Sequence, residues 1–261
     1  MLTADLTHKR ALATGANSGI GEAIARSLGD AGADVIINFV SHPETARAIA
    51  ESLSVDGRRS LALRADVSLC AEVEALFKAI DNAWGGIDIL VNNAGVDGKS
   101  APGWEADIDV WRSVIDVNLV GTFLCSQQAL KRMVTQKAGI IINMSSVHET
   151  IPWSGYSAYA ASKAGVSMLT KTLAQEAAPH GVRVLAVAPG AIKTAINQGV
   201  WSNAGGLADL DLKIPMGRLG ECEEIARMVA VLASDLASYL TGTTVFIDGG
   251  MTDFADFAHG G

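Results

Sequence analysis

A chain of 261 residues that is 49% hydrophobic and 18% charged can bury one sizeable core, which excludes a disordered or fibrous protein. Its 28 acidic side chains outnumber 20 basic ones, and the formal net charge of -8 opposes the basic footprint of a nucleic-acid binder. Three scattered cysteines, Cys70, Cys125 and Cys222, suggest neither a CxxC metal pair nor a disulfide framework, and no leader-type or membrane-length apolar run occurs, so the expectation is a cytoplasmic protein with a small-molecule substrate and no membrane or nucleic-acid partner.

In chain order, short runs rich in Val, Ile and Leu recur at 11–14, 35–39, 60–64, 87–91, 139–144, 182–188 and 243–247, each of strand length. Between them lie segments with helical spacing, such as Ile20, Ala23, Ile24 and Leu28, then Val73, Leu76, Phe77 and Ile80. Six β-α units and a final strand, apolar on both faces, predict a seven-stranded parallel sheet with helices on both faces, the doubly wound α/β (Rossmann) arrangement. No linker-like composition divides the chain, so 1–261 reads as a single domain. The least periodic stretch, 189–220, is expected to form a substrate lobe or lid beyond a strand's carboxyl end. The tail at 254–257 is expected to pack on a neighbouring subunit.

The first strand runs into Thr14-Gly15-Ala16-Asn17-Ser18-Gly19-Ile20-Gly21 and then into an amphipathic helix. Its glycines permit a tight turn and aim the helix N-terminus at an anion such as a pyrophosphate, although the spacing is GxxxGxG rather than GxGxxG. Asn92-Asn93-Ala94-Gly95 follows the fourth strand at the same rim, and Asn118, a polar residue within an apolar helical stretch, needs partners. Ser146 stands where the fifth strand ends, fit either to hold a substrate oxygen or to serve a turn. Tyr159 and Lys163, four apart, project from one face of a helix. The ammonium is expected to favour the phenolate and draw the tyrosine toward neutrality as a general acid/base.

In this order and spacing the motifs resemble the short-chain dehydrogenase/reductase family over essentially the whole chain. The resemblance implies a catalytic tetrad of Asn118, Ser146, Tyr159 and Lys163. Tyr159 would exchange a proton with the substrate oxygen, Ser146 would orient that oxygen, Lys163 would also bond the nicotinamide ribose, and Asn118 would hold a water. It further implies cofactor contacts at Gly15, Asn17, Ser18, Gly19, Ile20 and Gly21, at Phe39 closing the second strand, at Asp66 and Val67, at Asn92, Ala94 and Gly95, and at Pro189, Gly190, Ile192 and Thr194. No metal is implied. At Phe39 no acid repels a 2′-phosphate and no base attracts one, so NAD and NADP are both expected, NADP slightly ahead. A homotetramer is expected by the same likeness.

Within the family the chain is most like bacterial glucose 1-dehydrogenases, along 142–149, at Ile151-Pro152-Trp153, at Ile214-Pro215-Met216-Gly217 and along 248–252. It departs from them at 154–158 and 201–212. With Ser146, Tyr159, His148 and Trp153 as pocket residues, and Glu149, Asn197, Gln198, Ser202 and Asn203 near them, a sugar or polyol is the expected substrate. A 3-oxoacyl thioester reductase would need a basic patch near the pocket. A cofactor-sensing regulator would be expected to lack Tyr159 or Lys163, and both are present.

Overall fold

The computed structural model describes residues 3–55, 57–194, 201 and 212–253. Strands β1 (Arg10–Ala13), β2 (Asp34–Phe39), β3 (Ser60–Arg64), β4 (Ile89–Asn92), β5 (Gly139–Met144), β6 (Val182–Pro189) and β7 (Thr244–Ile247) form a seven-stranded sheet in the order β3-β2-β1-β4-β5-β6-β7. Every pairing is parallel. The order reverses between β1 and β4, and the crevice beyond the carboxyl ends at that point is where such folds receive ligands.

Alternation along the strands sorts the core into two layers. Ala11, Ala13, Val35, Ile37, Ile89, Val91, Ile140 and Ile142 face one side, packed with Ile24 and Leu28 of α1 (Gly19–Asp30), Ile49 of α2 (Pro43–Leu53) and Val229 of α7 (Cys222–Ala233). Leu12, Ile36, Leu90, Ile141 and Val184 face the other. There they meet Phe77 and Ile80 of α3 (Cys70–Trp84), Met133 of α5 (Gly121–Gln136) and Leu173 of α6 (Ser157–Ala177).

The expected strands are all present, 60–64 and 139–144 unchanged and the others with ends moved by one or two residues. The first begins at Arg10, whose guanidinium grips Asp88 with bonds of 2.7 and 2.8 Å, so a charged residue can open the strand. The helix expected around Asn118 is not continuous: α4 (Ile108–Ile115) passes into a π-helical turn, Asp116–Val120, before α5. Most of the expected lobe at 190–220, and the tail at 254–257, lie outside the described residues. Among the described residues no helix is long and apolar enough to cross a membrane.

Candidate active site

The turn after β1 is held from both neighbouring strands. Asn38 of β2, buried, accepts from the Gly15 N–H at 3.3 Å and donates to the Ala65 carbonyl at 3.0 Å. Asn93 donates through Nδ2 to the carbonyls of Thr14 and Gly15 at 3.0 and 3.1 Å, while Thr14 Oγ1 accepts from the N–H groups of Asn93 and Ala94, each at 3.0 Å. Gly15 takes φ +58°, a left-handed conformation that favours glycine, and a Cβ at Gly21 would collide with Asn93 Nδ2 and the Gly15 carbonyl. Ser18, extended, makes no side-chain capping bond to α1. That N-terminus therefore suits a pyrophosphate, and Asn17, bonded to the Ser41 carbonyl at 2.8 Å, fixes the loop beside it. Thr194 Cγ2 comes within 3.8 Å of a Cβ built at Gly19, which brings the loop after β6 over the same turn.

At several positions of the expected cofactor path the side chain is engaged with protein. Phe39 is only 5% exposed and belongs to the core, because the last residue of an alternating strand faces inward; the outward position is Val40, 50% exposed. Asn92 is buried and donates to Ser126 Oγ and Asn143 Oδ1 at 2.9 and 2.8 Å, so its neighbour Asn93 is the one at the rim. Ile192 and Val67 are buried too, Val67 against Gly121, and offer a ligand only backbone. Ile20 packs on the core. Asp66 closes its own turn by accepting from Ser68 N and Oγ at 2.9 and 2.7 Å. Pro189 ends β6, and Gly190 abuts Asp248 so closely that a Cβ would come 2.7 Å from its Cα. Ala94 and Gly95 lie at the rim, and a Cβ at Gly95 would come 3.3 Å from Asn118 Oδ1 and 3.6 Å from Lys163 Nζ.

The four expected catalytic residues converge. In the π-helical turn the Gly121 N–H bonds the Asp116 carbonyl five residues back, a bulge common at functional sites, and Asn118 is left 1% exposed. Its amide is bonded both ways to the Val96 backbone at 2.8 Å and donates to Ser162 Oγ at 3.1 Å. The side chain is thus engaged with protein, and its backbone carbonyl accepts from Thr122 Oγ1 at 2.7 Å. Ser146 Oγ accepts the His148 N–H at 3.2 Å and is near enough to Tyr159 to pull its phenol downward. Lys163, 5% exposed, donates to the Met144 carbonyl at 2.8 Å and lies 5.5 Å from the centre of the Tyr159 ring.

The electrostatics differ from expectation. Burial holds the Tyr159 phenol above its ordinary value, Ser146 pulls it part of the way back, and the Asp97 carboxylate adds to the rise. Burial also pushes the Lys163 ammonium down to about 8. The lysine does not draw the tyrosine toward neutrality here, because its ammonium is engaged with Met144 and sits over the ring face rather than at the phenolic oxygen.

Beside Tyr159 stands an aromatic stack that the sequence reading found only in part. His148 stacks on Trp153 with centroids 4.5 Å apart, and Trp153 on Tyr156 at 3.9 Å. The Tyr159 ring meets His148 and Trp153 edge-on, at 6.1 and 5.7 Å. Tyr156 was missed, although its place three residues before Tyr159 on the helix entry was a usable signal. His148 Nδ1 pairs with the Ile151 carbonyl at 3.0 Å, and burial lowers the ring's pKa, so it is neutral with Nε2 as acceptor. Glu149 turns away to accept from Ser167 Oγ at 2.9 Å. The other expected pocket residues, Asn197, Gln198, Ser202 and Asn203, lie outside the described residues.

The donor set fits a nicotinamide dinucleotide. The α1 N-terminus is uncapped by Ser18, and a buried ammonium with three donors has one hydrogen-bond acceptor in Met144, leaving two for ribose hydroxyls.

Residues 15–252 match the sequence profile of a family described as enoyl-(acyl carrier protein) reductase. The chain is 47% identical over 257 residues to 3beta-hydroxysteroid dehydrogenase 1 of Eggerthella lenta, covering 98% of each. It is 41% identical over 249 residues to glucose 1-dehydrogenase 2 of Bacillus subtilis, covering 95% of this chain and 96% of that one. A solved gluconate 5-dehydrogenase from Burkholderia cenocepacia, in complex with NADP and tartrate, superposes with a TM-score of 0.91 at 34% identity, covering 96% of this chain and 98% of that one.

Proposed function

The chain belongs to the short-chain dehydrogenase/reductase family and is an oxidoreductase of hydroxyl and carbonyl groups, and from that premise we propose that Tyr159 is its acid/base and that its substrate is a secondary alcohol or ketone on a mainly apolar ring skeleton, used with NAD or NADP. One observation carries the catalytic assignment: Ser146 acts on the Tyr159 phenol, and a buried ammonium lies 5.5 Å from the centre of the same ring. In oxidation Tyr159 Oη takes the proton of the substrate hydroxyl. Ser146, whose acceptor side is held by the His148 N–H, donates to the same oxygen; in reduction the proton returns. Bound nicotinamide supplies the two-electron partner, taking hydride from the substrate carbon or returning it. Lys163 would hold the ribose; Gly15, Asn17, Ser18, Gly19, Ala94, Gly95 and Thr194 would line the rest of the cofactor's path.

The skeleton is argued from the wall. Trp153 stacks on both His148 and Tyr156, which takes up part of the indole surface that the C–H face of a sugar ring would use. Glu149 is engaged with Ser167. A polyol whose hydroxyls lacked partners would strand them at a desolvation cost of about 1–3 kcal/mol each. The 3beta-hydroxysteroid dehydrogenase at 47% identity supports the apolar reading. A sugar or polyol remains the second reading, favoured by the His148 Nε2 acceptor and the glucose 1-dehydrogenase relative. Steady-state assays of alicyclic alcohols, hydroxysteroids, aldoses, polyols and 3-oxoacyl thioesters, each with both cofactors, test it: turnover of aldoses with none of ring alcohols reverses the order of the two readings. Assembly as a homotetramer in the cytoplasm belongs to the same proposal. The exposed Phe123 and Met168 on α5 and α6 suit a helical contact between copies, and sedimentation and cell fractionation measure these points.

A further inference from the structure

Ser146 does not hold its own position. It is the residue before a short 3-10 turn, Val147–Glu149, which follows β5, and the Glu149 N–H closes that turn on the Ser146 carbonyl at 2.9 Å. The far end of the turn is fastened to α6, where Ser167 Oγ donates to Glu149 Oε1 at 2.9 Å. On α6, Tyr159, Lys163 and Ser167 stand four residues apart on one face. Each reaches back to the β5 end: Tyr159 to Ser146, Lys163 to Met144 and Ser167 to Glu149. The other oxygen of Glu149, Oε2, is buried without a partner. Stability alone argues against such a group, since a half-satisfied buried carboxylate costs more than an apolar residue of similar size.

We propose that Glu149 is a positioning residue, which through Ser167 sets the distance between Ser146 and Tyr159 for proton exchange. The inference rests on the reading of Ser146 as the group that orients the substrate oxygen. A displacement of about 1 Å between reacting groups can cost up to about a hundredfold in rate, so losing the clamp lowers kcat while leaving the phosphate-side turn of the cofactor site, which is built on β1 and β4, intact.

The test compares Glu149→Ala, Glu149→Gln, Ser167→Ala, Ser146→Ala and the double variant Ser146→Ala/Glu149→Ala in the full chain, with whichever alcohol the substrate panel shows to be turned over. Kd for NAD and NADP by fluorescence, Tm, kcat and KM are read for each. Expected results are a fall of about tenfold or more in kcat for Glu149→Ala and Ser167→Ala, with cofactor Kd within twofold and Tm unchanged or higher. Glu149→Gln keeps an acceptor for Ser167 and should stay within about threefold of wild type. The double variant should be no slower than Ser146→Ala, because one effect acts through the other. Wild-type kcat in Glu149→Ala, a loss that multiplies that of Ser146→Ala, or a loss confined to Tm would each overturn the inference. Full activity in Ser146→Ala would overturn the catalytic reading itself and the inference with it, whereas a slow Ser146→Ala beside a fast Glu149→Ala removes the inference alone.

Discussion

The Lys163 ammonium lies 5.5 Å from the centre of the Tyr159 ring, over its face, with its bond directed at the Met144 carbonyl instead of the phenolic oxygen. Tyr159 is therefore a buried phenol with a raised pKa, and proton exchange through it should carry the signature of that burial.

Tyr159→Phe keeps the ring and its edge contacts with His148 and Trp153 and removes only the ionisable group. Turnover should fall at least about a hundredfold with NAD and NADP affinity retained, as read by stopped-flow and fluorescence titration. Retention of more than about a tenth of wild-type turnover removes Tyr159 from the acid/base role.

The active form in oxidation is the phenolate, so kcat/KM for the alcohol should climb with pH through neutrality and beyond, whereas reduction, which needs the phenol, should be level near neutral pH and fall at high pH. The Asp97 carboxylate helps to hold the phenol up. Asp97→Asn should accordingly move the alkaline limb of the oxidation profile to lower pH, and an unmoved or oppositely moved limb contradicts the assignment.

Lys163 titrates near 8 in the fold against 10.5 when free. The unfolded chain therefore binds more protons between those values, and this group's destabilising effect is fully present below about pH 8 and relieved as pH rises toward 10.5. Its magnitude is on the order of 3 kcal/mol. Lys163→Met should raise Tm relative to wild type at pH 7, and the gap should narrow by pH 10 in calorimetry, although activity is lost at both.

A Cβ at Gly21 would collide with Asn93 Nδ2 and the Gly15 carbonyl, two groups bonded to each other at 3.1 Å. Gly21→Ala should weaken NAD and NADP binding tenfold or more and lower Tm. Unchanged cofactor affinity by calorimetric titration would show that this turn does not shape the nucleotide site.

On the proposed reading the residues that follow β2, Val40 and its neighbours, select the cofactor, and Phe39 and Val40 are neither acid nor base. The ratio of kcat/KM for NADP and NAD should stay below about 1000, equivalent to roughly 4 kcal/mol, and Val40→Arg should move it toward NADP. A larger wild-type ratio would place the selecting group elsewhere.

The layers were legible in the sequence because each strand, such as Ile140-Ile141-Ile142, is apolar on both faces, and a parallel sheet between two helix layers is the way to bury both. The meeting of three of the proposed site residues was legible for a similar reason: helical periodicity alone puts Tyr159 and Lys163 on one face, and strand ends put Ser146 at the rim. Local periodicity could not say which way a polar group faces when a single residue's phase decides it. Phe39 turns inward and leaves the outward place to Val40, Asn92 is buried while Asn93 bonds the turn after β1, and one extra residue in the π-helical turn carries Asn118 inside. Nor could it price burial, which depends on atoms far away in sequence. The rise at Tyr159, the fall at Lys163, the His148–Trp153–Tyr156 stack and the Glu149–Ser167 clamp exist only once β5, its turn and α6 are packed together, because desolvation and hydrogen-bond partners are properties of the assembled layers.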